Sequence, residues 1–423
     1  MVVRAASFAF IAGALILGVL FRAGNPALAQ GSGEFPIASE VRIAGDETRT
    51  RMVIDLSQRI DARAFLLANP YRVVVDLPQL IFRFPPKTGE SGRGLVKAFR
   101  FGLVMTGGSR LVLDLARPAR VEKSFVLDPD NGEPARLVLD LAAVDRETFM
   151  RTMALEARAR EAAPAPSPKT QSQDGQIKGE EANSDPRPVI VLDPGHGGID
   201  NGTKSASGET EKSIVLEFAL LLRDKIERTG KYRVLMTRTD DTFVALADRV
   251  SFARAQHAAL FISIHADALP RGEGDAQGAT VYTLSETASD AEAGRLAEME
   301  NRADVIAGVD LTSEPDDVAD ILIDLAQRET KTFSVRLARG LIESMRPVTR
   351  MHKNSLKSAG FRVLKAPDIP SVLIELGYVS NRADIKSLTS ADWRERTSAA
   401  IAQAVDRFLA TKLAVGGRSA GQN

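Results

Sequence analysis

The stretch Val189-Ile190-Val191-Leu192-Asp193-Pro194-Gly195-His196-Gly197-Gly198 joins four consecutive apolar residues to a polar, glycine-rich turn. An apolar run of that length describes a strand buried on both faces, as a parallel sheet requires. The glycines after it let backbone approach a ligand closely. Downstream, Ser213–Arg228 has helical periodicity, Tyr232–Thr237 reads as a strand, Val244–Gln256 as a helix and Ala259–Ile264 as another buried strand. Thr280–Leu284, Phe361–Leu364 and Val372–Leu376 complete the strand set, and Lys331–Met345 and Trp393–Leu413 read as helices. This alternation predicts an α/β domain with a mostly parallel or mixed sheet covered by helices on both faces. Catalytic groups are then expected just beyond the strand C-termini.

Upstream the pattern is different. Between Val41 and Leu141 one phrase recurs four times: Arg51-Met-Val-Ile-Asp-Leu56, Arg72-Val-Val-Val-Asp-Leu77, Arg110-Leu-Val-Leu-Asp-Leu115 and Arg136-Leu-Val-Leu-Asp-Leu141. Alternation along each phrase sends apolar and charged residues to opposite faces of a strand. Four copies predict an N-terminal all-β sandwich, with Arg and Asp paired across strands on its solvated face. Asp145 to Ala162 reads as a short helix. Pro164 to Pro188 is rich in Pro, Ser, Gln, Lys and Glu and reads as a flexible tether between two domains, as the length of 423 residues leads one to expect.

Lys+Arg and Asp+Glu balance at 55 each, so no global charge points to nucleic acid as a partner. The absence of cysteine excludes disulfides, thiolate catalysis and cysteine-ligated metals. Any metal site must use His and carboxylates, and there are four histidines: His196, His257, His265 and His352. At the N-terminus, Arg4, the apolar run Phe8–Phe21 and Ala27-Leu28-Ala29 before Gln30 fit a cleavable signal peptide over residues 1–29. An uncleaved anchor is the alternative, but no later stretch is apolar enough to span a bilayer. The expectation is an exported chain with no stable membrane insertion once mature.

His196 and His265 follow apolar strands, Glu375 sits within one, and Glu211 opens the helix after the first. Charge at such places is costly unless paired or metal-bound. Two imidazoles and one carboxylate with an open fourth position form a recognised catalytic zinc set. Each residue also has a plainer reading: a capping histidine, or a glutamate favoured by the helix dipole. No helix-borne H-E-x-x-H is present. His257 reads as a surface or capping residue, and His352 as a surface residue within possible reach of substrate.

Asp193-Pro-Gly-His-Gly-Gly198, Glu211-Lys212, Thr237-Arg238-Thr-Asp240, Leu246-Ala-Asp-Arg249, Phe261-Ile-Ser-Ile-His-Ala-Asp267 and Ile374-Glu-Leu-Gly-Tyr-Val-Ser-Asn381 stand in the order seen in N-acetylmuramoyl-L-alanine amidases of the amidase-3 type. Across roughly 188–410 the chain resembles that family, and the β domain resembles the AMIN domain, which in the family binds peptidoglycan. As a whole the chain resembles the AmiC-like division amidases of Gram-negative bacteria. The resemblance implies that His196, Glu211 and His265 bind Zn2+ and that Glu375 is the catalytic carboxylate; Arg238 and Arg249 also match the family pattern, and both read as structural before catalytic. The substrate it implies is the amide joining N-acetylmuramic acid to L-alanine in peptidoglycan, cut in the periplasm during daughter-cell separation. The expected layout is a signal peptide (1–29), an AMIN-like domain (36–145), a linker (146–187), the amidase domain (188–412) and a tail (413–423). Competing readings are a non-catalytic wall-binding scaffold, or another zinc hydrolase of the envelope, a peptidase or deacetylase.

The connection between Leu284 and Lys331 is several times longer than a crossover needs. Residues 286–329 hold thirteen acidic and three basic residues. Ala291–Val305 and Asp317–Gln327 have helical spacing, and Val318, Ile321, Leu322 and Leu325 form an apolar stripe on the second. The resemblance implies a regulatory insertion whose helix blocks the zinc cleft until a LytM-like activator displaces it. Glu300, with Glu298 as the alternative, is the expected blocking carboxylate, and the second helix the activator's docking surface.

Overall fold

The computed structural model describes residues 35–105, 107–162, 185–268, 276–309 and 321–419. The expected signal peptide, most of the tether, the Val318 end of the insertion's stripe and the last residues of the tail lie outside the described residues. No helix among the described residues is long and apolar enough to cross a membrane.

In the β domain, β1 (Ile37–Gly45), β2 (Arg49–Leu56), β5 (Ile81–Phe82), β8 (Ala119–Leu127) and β9 (Ala135–Ala143) form a sheet of order β5-β1-β2-β9-β8. The second sheet, β3-β4-β7-β6, uses β3 (Arg63–Leu67), β4 (Arg72–Pro78), β6 (Val96–Met105) and β7 (Gly108–Leu115). The four repeated phrases are β2, β4, β7 and β9, each an inner strand of its sheet. Their alternation sends Met52, Ile54, Val73, Val75, Leu111, Leu113, Leu137 and Leu139 into one shared core. The helix expected after the sandwich is α1 (Arg146–Ala162), which adds Phe149 to that core.

The α/β domain is built on a six-stranded sheet of order β11-β10-β12-β15-β13-β14. Its strands are β10 (Val189–Pro194), β11 (Arg233–Met236), β12 (Leu260–His265), β13 (Ala279–Leu284), β14 (Met351–Ala359) and β15 (Ser371–Glu375). All neighbours pair parallel except β13 with β15, so the sheet is mixed. Alternate residues of β10 feed two cores. Ile190 and Leu192 pack with α2 (Glu211–Glu227), α6 (Ile321–Met345) and α8 (Ala391–Ser419) on one face. Val189 and Val191 face α3 (Leu246–Ala255) and α4 (Ala291–Glu300) on the other.

Three expectations are corrected. Phe361–Leu364 is not a strand but leads into a single 3-10 turn, Arg362–Leu364, whose Val363 and Leu364 plug the second core. The edge strand is instead β14, whose mixed polar composition carries no strand-like run. The helix expected from Lys331 begins at Ile321, so the end of the insertion's second helix is continuous with α6. The helix expected over Ala291–Val305 is broken at Asn301, whose side chain donates to the Gly360 carbonyl and accepts from the Arg362 amide; a four-residue turn, α5 (Ala303–Ile306), follows.

Candidate active site and metal centre

Parallel pairing brings the site together. Pro194 lies beside Ile264 and His265 beside Glu375, so three adjacent strands deliver their polar ends to one edge. The loop after β10 turns sharply: His196 has φ 58°, in the left-handed region. Gly195 is required by crowding, because a Cβ there would fall 2.3 Å from the His265 ring. Two buried guanidiniums hold the loop from beneath. Arg249 donates to Asp193 Oδ1 at 2.7 Å and to the His196 carbonyl at 2.9 Å, and Arg238 donates to the carbonyls of Pro194 and Gly195 at 3.0 and 2.7 Å. Arg249 spends its donors on loop carbonyls and on Asp193, and Arg238 on loop carbonyls and on the Lys212 carbonyl of α2.

His196, Glu211, His265 and Glu300 are buried and each offers one ligand atom, all lying within 4.8 Å of one another. Glu211 is fixed by the amide of Ala266 at 2.9 Å and by the amide and hydroxyl of Thr203, both at 3.0 Å. Asp200 lies 2.9 Å from His196 Nδ1, which orients the ring with Nε2 toward the cluster. Neither His196 Nε2 nor His265 Nδ1 has a hydrogen-bond partner, though both are buried. They face Glu211 Oε1 at 3.2 and 3.3 Å and Glu300 Oε2 at 3.6 and 3.1 Å. Each orphaned buried nitrogen costs roughly 1–3 kcal/mol, and two carboxylates in one buried site repel. A divalent cation among the four groups relieves both penalties. The donor set, nitrogen and carboxylate oxygen without sulfur, suits zinc.

The charges around the cluster follow the same logic. Burial opposes a charged His196, but Glu211, Asp200 and Glu300 outweigh it and raise its pKa well above the usual value. Burial likewise opposes ionisation of Glu211, yet His196 and His265 hold its carboxyl well below the usual range. Glu375 is fully buried; Oε2 accepts from the Asp267 amide at 3.1 Å and Oε1 has no partner. Burial first, then Asp267, Glu211 and Glu300, push its pKa well up.

The family model described as N-acetylmuramoyl-L-alanine amidase matches residues 190–407, and the AMIN domain model matches 40–142. N-acetylmuramoyl-L-alanine amidase AmiC of Neisseria meningitidis serogroup B is 33% identical over 384 residues, covering 89% of this chain and 91% of the relative. The chain belongs to the AmiC-like N-acetylmuramoyl-L-alanine amidases. AmiC of Escherichia coli O6:H1 is 30% identical over 88% of this chain and 89% of its own length, and AmiA of Escherichia coli K12 is 38% identical over 56% of this chain and 81% of its own.

In this amidase α4 brings Glu300, its last residue, into the four-residue cluster. Of the two glutamates, Glu300 joins the cluster, whereas Glu298 is exposed and lies outside it. Asp290 caps α4 by accepting from the Ala293 amide at 2.8 Å. Lys357, buried on β14, lies 3.4 Å from Asp290 and 2.9 Å from Glu292, and Tyr378 Oη donates to Glu292 at 2.9 Å. His352 is corrected from a surface residue to a buried one on β14; its Nδ1 accepts from the Asn354 amide. His257 is exposed in a turn, as expected. Sequence reasoning missed Asp200, Asp267, Lys357 and Tyr378 as parts of the site. Asp200 and Asp267 had a local signal, each lying within four residues of a singled-out histidine, and Tyr378 stood inside the run Ile374–Asn381; Lys357 had none, because its partners lie in the insertion.

Proposed function

We propose that this amidase hydrolyses the amide between N-acetylmuramic acid and L-alanine in peptidoglycan, using zinc held by His196, Glu211 and His265, and that Glu300 keeps the enzyme off until α4 is displaced. The observation that carries the reading is the pair of orphaned imidazole nitrogens converging on two buried carboxylates. Zinc bound there supplies Lewis acidity, polarising the scissile carbonyl and acidifying water at neutral pH. Glu375 Oε1, unpartnered and aligned beside His265, is the atom that takes a proton and returns it to the leaving amine. Its raised pKa suits both duties. Asp200 holds His196 in the tautomer that leaves Nε2 free, and Arg249 and Arg238 hold the loop that presents it.

The same reading places the chain in the periplasm after removal of residues 1–29, with the β domain anchoring it to the wall and a LytM-like activator acting on the 286–329 insertion during daughter-cell separation. Digestion of purified sacculi, with products analysed by mass spectrometry, tests the reaction. Free stem peptides with intact glycan, lost on adding a chelator and restored by zinc, are expected. Cleavage within the stem peptide or deacetylated glycan would replace this reading with the peptidase or deacetylase alternative.

A further inference from the structure

The repeated Arg-x-Val/Leu-x-Asp phrases have two fates. On β2 and β9 their outer faces look outward, with Arg51 on Asp140 at 2.6 Å and Arg42 on Asp55 at 2.6 Å. On β4, β6 and β7 the equivalent face is covered by the chain that follows Glu300. Arg72 Nη1 donates to the Val305 carbonyl at 2.5 Å and Arg100 Nε to the Ile306 carbonyl at 2.5 Å. Arg110 Nη1 donates to the carbonyls of Ala307 and Gly308 at 3.2 and 3.1 Å. Thus four consecutive carbonyls at and just after the end of α5 are taken by three guanidiniums from another domain, although the Val305 carbonyl also accepts from the Gly308 amide at 3.2 Å. Asp114 and Asp76 hold Arg100 and Arg110 in place at 2.6 Å. Between the arginines, Val74 and Val112 pack with Ala303 and Ala307 in the same core as α4. Gly308, at φ 68°, fits between the two valines, and a Cβ there would lie 3.0 Å from a methyl of each.

The same sheet grips the other half of the site. Leu103 on β6 accepts from the Ile199 amide at 3.1 Å, and a Cβ on Gly102 would fall 2.6 Å from that nitrogen. One strand, β6, therefore touches the loop carrying His196 and Asp200 through Leu103, and the segment trailing Glu300 through Arg100.

We infer that the outer face of sheet β3-β4-β7-β6 is a docking surface for residues 303–308 of the insertion, and that the β domain thereby latches Glu300 in the cleft. The inference rests on the reading of Glu300 as the blocking group. On this inference α4 leaves only when this face lets go of its trailing end.

The test compares basal sacculus hydrolysis, without activator, among full-length variants. Arg100→Ala with Arg110→Ala removes donors from the β side. Gly308→Asn wedges the gap between Val74 and Val112 from the insertion side without touching the β domain's own fold, and Asn tolerates the left-handed backbone. Both are expected to raise basal activity on the order of five- to tenfold, the scale of losing about one net hydrogen bond's worth of docking. Arg51→Ala, which breaks a similar pair on the other sheet, is expected to leave it unchanged. Zinc content and near-ultraviolet circular dichroism report whether each variant keeps its site and fold. If Glu300→Ala activates while the Arg100/Arg110 and Gly308 variants stay at the parent rate, the latch is wrong and the blocking reading stands. If Glu300→Ala does not activate either, the blocking reading fails and takes the latch with it. An Arg51→Ala rise equal to that of Arg100→Ala with Arg110→Ala would also overturn the latch, since general loosening of the β domain would then explain both.

Discussion

Glu375 and Glu300 are both buried carboxylates near His265, and burial raises the pKa of both. They reach the site in opposite ways. Glu375 ends a core strand, is paired beside His265 in register and is held by the Asp267 amide. Glu300 ends a ten-residue helix whose grip on the cleft comes from Lys357, Tyr378, Asn301 and the three arginines of the β domain. One carboxylate is part of the sheet; the other is delivered by a removable segment. The same chemical group can therefore be machinery or obstruction, depending on what holds it, and removing the two should change activity in opposite directions.

The largest expected effect is at the strand-borne group. Glu375→Gln keeps the shape but cannot carry a proton, and should lower kcat by about 10²–10⁴-fold. Zinc measured by mass spectrometry should stay bound. Loss of zinc in that variant would break the comparison by making Glu375 a ligand.

How much of this was legible in the sequence follows from the same contrast. The β10 and β12 runs, the turn holding His196 and the placement of His265 and Glu375 at one sheet edge are consequences of local patterning, and periodicity reports those directly. The repeated phrases likewise showed which residues of β2, β4, β7 and β9 face the sandwich core. Strand β14 escaped because it is polar on an edge and its buried Lys357 is neutralised by the insertion, not by its own neighbours. The destination of Arg72, Arg100 and Arg110 escaped for a similar reason. A solvated cross-strand pair and a pair that also docks a distant helix end have the same sequence.

A smaller effect is expected at the residue that orients His196. Asp200→Ala should weaken zinc affinity by roughly 10–100-fold while leaving the four-residue cluster in place. Competition with a chromophoric chelator measures it; unchanged affinity would assign His196 its orientation by the loop alone. Smaller still is the exposed sheet: Arg51→Ala should cost about 0–1 kcal/mol in chemical denaturation, since the Arg51 side chain is mostly exposed even though Asp140 is partly covered. A larger loss would mean that the outward sheet also supports the fold in a way its exposure does not suggest.

The account stands most directly on Glu300→Ala in the full-length chain, assayed for release of stem peptides from sacculi without any activator. The prediction is a basal rate higher by on the order of tenfold, with zinc content unchanged, since removing a group that favours only the closed state shifts the population toward the open one. A folded, zinc-loaded Glu300→Ala enzyme as slow as its parent would contradict the claim that this carboxylate holds the site shut.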